Sequence, residues 1–365
     1  MRNDGKANFM EFKKTLARLK KEIDQELKYQ FDIAIRDARK KDSLIAEALK
    51  QTKKITLAGG KRIRGALLCQ AYFGAGGKDK KKIIKAAAAI ELINMFLLVQ
   101  DDIMDRGNLR HGEKTLHVVF SEKKQKNISA DEAKHFGNSI AMIAGDMLYA
   151  MANKLILESG FSDAAIIQSL SQIQSIVETT IAGQSQDAWI AYKKNATEKE
   201  VLNMYKNKTA RYTLEGPLHV GSILAGKSSR KFLQCLSFYA VPIGIAFQLQ
   251  DDILGVFGNK QKTGKLAVSD IEEGKRSIMV IKAYEKANIK QKKQLDSILG
   301  KKNLTNREIR IFQDVLKSTG ALEYSKKMAA AYLAKGKREI KKMAFLPDAK
   351  KFFMGMAEYL EGREI

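Results

Sequence analysis

Proline, cysteine and tryptophan are scarce in this chain. Its 365 residues include 3 prolines, 2 cysteines and 1 tryptophan. The scarcity of proline argues against proline-rich linkers and a loop-rich β-sandwich, and it favours long helices in a chain rich in Ala, Leu, Ile, Lys and Glu. Cys69 and Cys235 are too few for a disulfide framework, and neither lies beside a second residue of metal-ligand type. We therefore expect two buried, reduced thiols.

The sequence also lacks the long apolar segments of exported or membrane-spanning proteins. We find no stretch of about 18 residues free of charged or strongly polar side chains, and the N-terminal residues lack the apolar run of a signal peptide. Hydrophobic residues nevertheless make up 45% of the chain, which is enough for a packed core. The expectation is a soluble, cytoplasmic protein with no membrane span.

Acidic residues are outnumbered by basic ones. Lys and Arg total 65 against 41 Asp and Glu, so the formal net charge is +24. Such an excess attracts a polyanion, which could be nucleic acid, an anionic membrane surface or a phosphorylated small molecule. We interpret most of the lysines as solvated positions on helix faces.

Apolar residues recur at helical spacing along most of the chain, and no segment shows convincing strand alternation. One segment is apolar nearly all round, which is typical of a helix in the centre of a bundle. The pattern predicts a single all-α domain over residues 1–365, a helical bundle with N-terminal helices in residues 1–50. The predicted helical segments are Phe9–Leu49, Arg62–Phe73, Lys82–Met104, Ile140–Leu157, Asp163–Gln186, Glu198–Ala225 and Lys231–Phe257.

One short motif occurs twice, each time at the end of a strongly apolar helical run. Gln-Asp-Asp-Ile-Met at 100–104 returns as Gln-Asp-Asp-Ile-Leu at 250–254. In the first copy, Asp105 follows four residues after Asp101 and shares its helix face. Unpaired buried carboxylates are costly, and like charges at this spacing repel.

A hard divalent cation removes both costs, because Mg²⁺ binds one or two carboxylates together with phosphate oxygens. One copy alone is compatible with aspartates that simply solvate a helix end. Two copies, each preceded by a similar apolar helical segment, favour a pair of metal-binding motifs that hold a diphosphate. The predicted metal ligands are Asp101, Asp102, Asp105, Asp251 and Asp252.

Basic residues near these motifs supply candidate anion contacts. Lys61 and Arg64 follow Gly59-Gly60 at the start of a predicted helix, where cations oppose the helix dipole unless an anion joins them. Free backbone amides at that helix start would add to an anion site. Arg110 follows the first aspartate motif and has the geometry for bidentate contact with phosphate.

Over about residues 50–360, the chain resembles the trans-isoprenyl diphosphate synthase family, whose members are also called polyprenyl synthetases. The resemblance rests on the ordered segments GGKRIR, LLVQDDIMDRGNLRHG, GDMLYAMA, AGQSQD, KTARYT, FQLQDDILGVFG and SDIEEGKRS. It implies the isoprenoid synthase fold, an all-helical bundle around a deep central cavity, usually a homodimer. The two aspartate motifs are expected to face each other across the mouth of that cavity.

The resemblance also implies a reaction. Three Mg²⁺ ions bind the diphosphate of an allylic substrate, the C–O bond ionises, isopentenyl diphosphate attacks the allylic cation, and a proton is lost. Metals and lysines stabilise the leaving diphosphate, and the apolar cavity shields the cation from water. The expected partners are therefore isopentenyl diphosphate and allylic prenyl diphosphates.

Individual positions match functional residues of the family. The resemblance assigns catalytic roles beside the allylic substrate to Lys208, Thr209, Gln248 and Lys265. It assigns substrate-binding roles to Lys61, Arg64, Asn94, Arg110, His111, Gln184 and Lys275, with Asp187 completing the GQxxD element.

Three positions depart from the family pattern. His111 replaces the second arginine after the first motif, and Asn94 replaces a His or Gln in the same isopentenyl diphosphate subsite. His111 can still donate hydrogen bonds, so the two changes are compatible with mutual adjustment. Gly255 replaces the third aspartate of the second motif, and Asp270 is a candidate to supply that acid from downstream.

Product length in this family depends on residues just before the first motif. Phe96 lies five residues before Asp101, about 7.5 Å along the helix, where a ring can block the growing tail. Leu97 is not aromatic, and the motif has no insertion, a combination that resembles archaeal-type geranylgeranyl diphosphate synthases. We therefore predict a C20 product. In the alternative interpretation, Phe96 only packs between helices.

Other functions fit parts of the sequence. A non-catalytic subunit of a heteromeric prenyl synthase would explain Asn94 and His111, but its metal motifs should have decayed. A terpene cyclase would ionise a prenyl diphosphate, but it does not need the GGKRIR segment. A nucleic-acid-binding protein would need stacking aromatics among its exposed basic residues, and the chain has only Trp189 as tryptophan. We therefore expect no nucleic-acid partner.

Overall fold

The computed structural model describes residues 2–124, 127–193, 195–258 and 269–362. They are overwhelmingly helical, so the predicted all-α fold class is confirmed. The α-helices are α1 (Arg2–Arg39), α2 (Ser43–Ala58), α3 (Ile63–Gly74), α4 (Lys80–Met104), α5 (Leu116–Lys124), α6 (Ala130–Leu157), α7 (Asp163–Tyr192), α8 (Glu198–Met204), α9 (Gly216–Leu224), α10 (Arg230–Phe257), α11 (Ser269–Glu272), α12 (Ile278–Lys286), α13 (Ile289–Ile298), α14 (Asn306–Ser318), α15 (Ala321–Ile340) and α16 (Pro347–Glu361). A π-helix, π1 (Tyr205–Glu215), lies between α8 and α9.

The boundary between α1 and α2 is set by a capping side chain, which the spacing of apolar residues does not reveal. The apolar pattern continues from α1 into α2, but the helix breaks before Asp42, whose carboxylate accepts hydrogen bonds from the amides of Leu44 at 2.6 Å and Ile45 at 3.3 Å. Asp42 is therefore the N-cap of α2.

A short antiparallel hairpin follows α4, where the sequence shows no strand signal. It consists of β1 (Leu109–Arg110) and β2 (Glu113–Lys114). Its turn residues, His111 and Gly112, have φ of 54° and 81°. Two residues a strand are too few for alternation to be visible in the sequence.

Contacts within the chain divide it into two compact units. The amino-terminal unit contains residues 13–170 and 223–226, and the carboxy-terminal unit contains residues 1–12, 171–222 and 227–365. The single domain expected from the sequence stays a prediction.

The core of the amino-terminal unit is built around α4. This helix packs against α3 and α6. Residues 86–89 of α4 are four alanines with no exposed surface, and their small side chains let neighbouring helices approach closely. The apolar run therefore delivers the first aspartate motif to the end of a buried helix.

In the carboxy-terminal unit, α10 packs against α15 and π1. Two glycines make room for π1: a Cβ on Gly244 of α10 would lie 2.4 Å from the Cα of Ala210, and a Cβ on Gly183 of α7 would lie 2.3 Å from the backbone nitrogen of Lys208. Close contact on both sides fixes the position of π1, and π-helical segments occur frequently at functional sites.

Three helices of the described chain are long and apolar enough, by length and composition alone, to cross a membrane. They are α4, α6 and α10, and between 44% and 67% of their most apolar windows is buried inside the protein. Two of them, α4 and α10, end in the aspartate motifs. The expected absence of a membrane span stays a prediction.

Candidate active site

The first aspartate motif forms the last turn of α4. Asp102 is buried, with 5% of its surface exposed, whereas Asp101 and Asp105 are half-buried. Two backbone hydrogen bonds end the helix: the amide of Asp105 donates to the carbonyl of Asp101, and the amide of Gly107 donates to that of Asp102, both at 2.8 Å. The motif therefore presents one buried carboxylate and two more accessible ones.

The hairpin after α4 returns Arg110 to this motif. Its Nε donates to both carboxylate oxygens of Asp102, at 3.0 and 3.3 Å, and a terminal nitrogen also donates to Oδ1. The same guanidinium lies 4.0 Å from Asp101. Burial, the largest single influence, lowers the pKa of Arg110, but the hydrogen bond to Asp102 together with the charges of Asp102, Asp101 and Asp105 outweighs it, so the pKa of the guanidinium is raised. The predicted phosphate ligand is thus held, fully charged, among the predicted metal ligands.

His111 packs on the glycine turn that precedes α3. A Cβ on Gly59 would lie 2.6 Å from the Cγ of His111, so only glycine leaves space for the ring. The Nδ1 of His111 lies 3.2 Å from the carbonyl of Ile55. Burial lowers the pKa of His111, and the neighbouring charges of Arg110 and Arg62 lower it further. The imidazole is therefore neutral near pH 7 and replaces an arginine as a hydrogen-bonding group, without its charge.

The three basic residues of the glycine turn have different surroundings. Arg62 is buried and binds the carboxylate of Asp24 at 2.7 Å and the carbonyl of Thr56. Lys61 is exposed and Arg64 is half-buried. Arg62 therefore holds the turn in place, which leaves Lys61 and Arg64 as the candidate substrate ligands.

The start of α3 differs from the expectation in one respect. The amide of Gly65 donates at 2.9 Å to the carboxylate of Glu91, a buried residue of α4. This carboxylate lies at the amino end of α3, where the helix dipole favours a negative charge. The amide of Gly65 is therefore already engaged, and the expected contribution of the other amides of this helix start to an anion site stays a prediction.

The predicted chain-length residues lie on α4 one to two turns before the motif. The rings of Phe96 and Tyr149 are 5.1 Å apart at 40°, and a Cβ on Gly145 would lie 3.5 Å from the Phe96 ring. Leu97 and Asn94 are half-buried. Phe96 thus packs against α6, as the alternative interpretation expects, and Tyr149 lies behind it.

The second motif ends α10 and is held by neutral groups. Asp252 is 8% exposed and accepts hydrogen bonds from the hydroxyl of Tyr205 and, at 2.8 Å, from the amide of Gln248. The hydroxyl of Thr209 donates to Gln248 at 2.7 Å. The predicted catalytic residues Thr209 and Gln248 are therefore linked to a predicted metal ligand.

The charge of Asp252 is poorly stabilised by its surroundings. Burial and then the nearby charge of Asp270 raise the pKa of Asp252 to about 7, although the hydrogen bonds from Tyr205 and Gln248 oppose this rise. The same environment raises the pKa of Tyr205. Tyr205 also accepts a hydrogen bond from the amide of Ile278 at 3.1 Å, which ties α12 to the motif.

Gly255 explains how a downstream acid reaches the second motif. A Cβ at position 255 would lie 1.9 Å from a carboxylate oxygen of Asp270 and 2.8 Å from its Cγ. The carboxylate of Asp270 therefore occupies the space that a larger residue would fill. Lys275 lies 3.3 Å from Asp270 and 2.7 Å from Glu273. The structure supports the candidate role of Asp270 beside Asp252.

Lys208 on π1 points to the GQxxD element of α7. Its Nζ lies 2.5 Å from the carboxylate of Asp187, and both side chains are about one fifth exposed. Gln184 and Asp251 are half-buried. Lys265, the fourth predicted catalytic residue, lies outside the described residues. Because Gly183 lets the backbone of Lys208 approach α7 closely, the amine of Lys208 reaches Asp187 on the same helix.

The donor set suits Mg²⁺. Among the described residues, no three His, Cys, Asp or Glu side chains converge on one point, so the protein alone forms no complete metal cage there. Mg²⁺ uses one or two carboxylates and fills its other positions with water and phosphate oxygens. Asp101 and Asp102 in one unit, and Asp251 and Asp252 in the other, are hard oxygen donors that fit this requirement.

Sequence reasoning missed three residues that contact the candidate site: Glu91 bonds the start of α3, Tyr205 bonds Asp252, and Tyr149 packs on Phe96. Glu91 looks like an ordinary charge in an apolar helix, Tyr205 like one aromatic among many, and Tyr149 like a helix-packing residue. Only the charge in an otherwise apolar stretch gives a usable signal for Glu91, because a buried carboxylate needs a partner.

Together these features define a class: all-helical enzymes whose paired aspartate motifs and basic side chains bind a diphosphate with a divalent metal. The polyprenyl synthetase family profile matches residues 46–316, and the chain belongs to this family. The predicted family and the predicted enzyme class, a prenyltransferase, are therefore confirmed.

Two curated relatives and one solved structure illustrate the similarity. A geranylgeranyl diphosphate synthase of Methanosarcina mazei is 31% identical over 318 residues, covering 87% of this chain and 90% of the relative. A short chain isoprenyl diphosphate synthase of Methanocaldococcus jannaschii is 34% identical over 305 residues, covering 83% of each chain. The crystal structure of a geranylgeranyl pyrophosphate synthase from Corynebacterium glutamicum, complexed with isoprenyl diphosphate and magnesium, superposes with a TM-score of 0.87 and 28% identity, covering 96% of this chain and 99% of that chain.

Proposed function

We propose that this chain is a short-chain prenyltransferase that condenses isopentenyl diphosphate with an allylic diphosphate and yields geranylgeranyl diphosphate, a C20 product. One observation carries the proposal: in each aspartate motif, a buried carboxylate is hydrogen-bonded to residues that were predicted to bind substrate or act in catalysis. Asp102 is bonded to Arg110, and Asp252 to Gln248 and through it to Thr209. The relatives named above support both the reaction and the product length.

The residues of each compact unit have their own proposed task. In the carboxy-terminal unit, Lys208 stabilises the leaving diphosphate, and the oxygens of Thr209 and Gln248 lie beside the reacting carbons. In the amino-terminal unit, Lys61 and Arg64 bind isopentenyl diphosphate. Bound Mg²⁺, held by the aspartates, supplies positive charge that stabilises the diphosphate as it departs.

Arg110 and His111 have distinct roles in this proposal. Arg110 binds phosphate oxygens by charge-assisted hydrogen bonds, which requires it to exchange part of its contact with Asp102. His111 is neutral near pH 7, because burial lowers its pKa. It orients a substrate oxygen or the glycine turn, but it adds no charge to the isopentenyl diphosphate subsite.

Three Mg²⁺ ions, a homodimer and a cytoplasmic location complete the proposal. The exposed side chains of α6 support a second copy of the chain as partner. Met142, Ile143 and Met147 are 42%, 52% and 36% exposed, and Ile143 and Met147 are one turn apart on one face. Exposed apolar side chains that cluster in this way mark interaction surfaces.

The decisive experiment is product analysis with purified protein, Mg²⁺ and labelled isopentenyl diphosphate. Allylic diphosphates of C5, C10 and C15 are supplied separately, and the dephosphorylated products are sized. We expect a C20 product, and the Asp251→Asn variant is the inactive control. A longer product would retain the reaction and reject the proposed length.

Two other outcomes would reject the reaction itself. Consumption of allylic diphosphate without elongation would indicate a terpene cyclase. A lack of any consumption would indicate a non-catalytic subunit that needs a partner.

A further inference from the structure

A strongly basic surface lies in the carboxy-terminal unit, away from the candidate active-site residues in the sequence. Residues 282–310 contain nine basic and three acidic residues, so this short stretch carries a quarter of the net charge of +24. The acidic residues are already engaged: Glu285 pairs with Lys282 at 2.8 Å, Asp296 accepts from the hydroxyl of Tyr284 at 2.8 Å, and Glu308 pairs with Lys301.

The centre of this surface is the outer face of α13, which we call the α13 face. It consists of Ile289, Lys290, Lys292 and Lys293. All three lysines are exposed, and none has an ion-pair partner among the residues that the structure describes. Ile289 is 77% exposed. The inner face of α13 is anchored by Leu295 and Ile298, which are buried in the core.

The positions of the lysines do not serve the helix itself. They occupy the first turns of α13, where the helix dipole disfavours cations, and no acidic residue lies in the first turn. Asn288 already caps the helix together with Gln291. An external anion would offset this repulsion. Ile289, Lys290, Lys293, Gln294 and Ser297 line a shallow groove on this face.

We propose that the α13 face docks on an anionic membrane surface, with Ile289 inserted among the acyl chains and the lysines on the lipid phosphates. A basic helix face that also exposes an apolar residue is typical of interfacial binding. Single-stranded nucleic acid fits less well, because base stacking needs exposed aromatics, and duplex DNA gives no role to the exposed Ile289, since non-specific duplex binding uses phosphate contacts. The one aromatic residue of this stretch, Tyr284, is half-buried, bonded to Asp296 and stacked by Arg276 at 5.5 Å.

The test is co-sedimentation of the full chain with vesicles, and it does not depend on catalysis. Vesicles of phosphatidylcholine alone are compared with an equimolar mixture of phosphatidylcholine and phosphatidylglycerol. We expect binding only to the mixture, weakened by added salt. The variant Lys290→Glu/Lys293→Glu should bind at least about 30-fold more weakly, since each lysine near such a surface contributes about fivefold.

A matched control separates the α13 face from net charge. Lys78→Glu/Lys81→Glu makes the same change of charge around the start of α4, where both lysines are exposed and form no ion pair with the described residues. It should weaken binding by less than about threefold, because its charges lie outside the docking face. Ile289→Asn should keep binding at low salt and lose about tenfold at high salt.

Three results would overturn the proposal. Equal losses in the two double variants would mean that net charge alone attracts the protein. No binding to phosphatidylglycerol vesicles would exclude a membrane partner. Tight binding to duplex DNA that depends on Lys290 and Lys293, without vesicle binding, would assign the α13 face to nucleic acid.

Discussion

Gly255 offers the sharpest test of the second aspartate motif. The family pattern suggests that an aspartate at this position would restore a third acid, and therefore that substitution should be harmless or favourable. The structure predicts the opposite, because a Cβ at 255 would lie 1.9 Å from the carboxylate of Asp270. Real Cβ contacts are never so short, so Gly255→Ala must displace Asp270.

The size of the effect follows from the packing. Asp270 can make room for a Cβ only by moving its whole carboxylate, since both its oxygen and its Cγ, at 2.8 Å, lie too close, and this movement disturbs its 3.3 Å contact with Lys275. Overpacking of this kind costs about 1–3 kcal/mol. Displacing a group that supports a metal site costs about 10–100-fold in metal affinity or activity. We therefore expect Gly255→Ala to lower the melting temperature and to raise the Mg²⁺ concentration for half-maximal activity by at least about tenfold. Gly255→Asp should be worse, since it adds a like charge.

Gly107 provides a matched control at the first motif. A Cβ there would lie 3.4 Å from a carboxylate oxygen of Asp102, which is an ordinary contact. Gly107→Ala should therefore leave the Mg²⁺ dependence near that of the parent. Thermal unfolding and Mg²⁺ titrations of activity compare the two alanine variants directly. If Gly255→Ala kept the parent stability and Mg²⁺ dependence, the assignment of Asp270 to this space would be refuted.

Three further predictions concern the cavity, the π-helix and the metal. Phe96→Ala should lengthen the product, with Tyr149→Ala acting in the same direction because its ring backs Phe96; an unchanged product distribution in both would remove this pair from the stop. Tyr205→Phe should lower the free energy of unfolding by about 1–3 kcal/mol, since one oxygen of the buried Asp252 carboxylate and the amide of Ile278 each lose the hydrogen bond to the hydroxyl. Tyr239→Phe, which loses one bond to a carbonyl, is its control and should cost about 1 kcal/mol. Chelation of divalent cations should abolish condensation and added Mg²⁺ should restore it, whereas persistent activity in chelator would exclude the metal role.

The sequence was sufficient for the helical fold class and for the two aspartate motifs, but not for every helix boundary: the predicted segment Phe9–Leu49 spans the break between α1 and α2, and Glu198–Ala225 contains α8, π1 and α9. Apolar periodicity sets the long helices, and the repeated Asp-Asp at the ends of α4 and α10 stands out because carboxylates rarely follow such apolar runs. Those inferences depend on the spacing of residues that are close in the chain, and a single sequence contains all of that information.

The supporting contacts could not be read in the same way. The bond from Tyr205 to Asp252 joins residues 47 positions apart, and the bond from Gly65 to Glu91 joins residues 26 apart. Such pairings depend on which helix faces meet, and a single sequence does not specify them. The hairpin that returns Arg110 to Asp102 depends on two residues with positive φ, His111 and Gly112, of which only the glycine is a familiar turn signal.

The two copies of the aspartate motif share a sequence but differ in how their buried carboxylates are stabilised. Asp102 is bonded to a charged guanidinium, so its negative charge is balanced before any cation arrives. Among the described residues, Asp252 is bonded to the neutral groups of Tyr205 and Gln248, and burial raises its pKa. Balanced charge at the first copy suits a group that must exchange its partner when phosphate binds. Unbalanced charge at the second copy suits a group whose main interaction is with a cation, because binding a cation stabilises the buried Asp252 carboxylate more than one already paired with arginine. The two pentapeptides, which differ only in their last residue, therefore occupy different electrostatic environments, and the difference comes from the elements that pack beside them, the hairpin at one copy and π1 at the other.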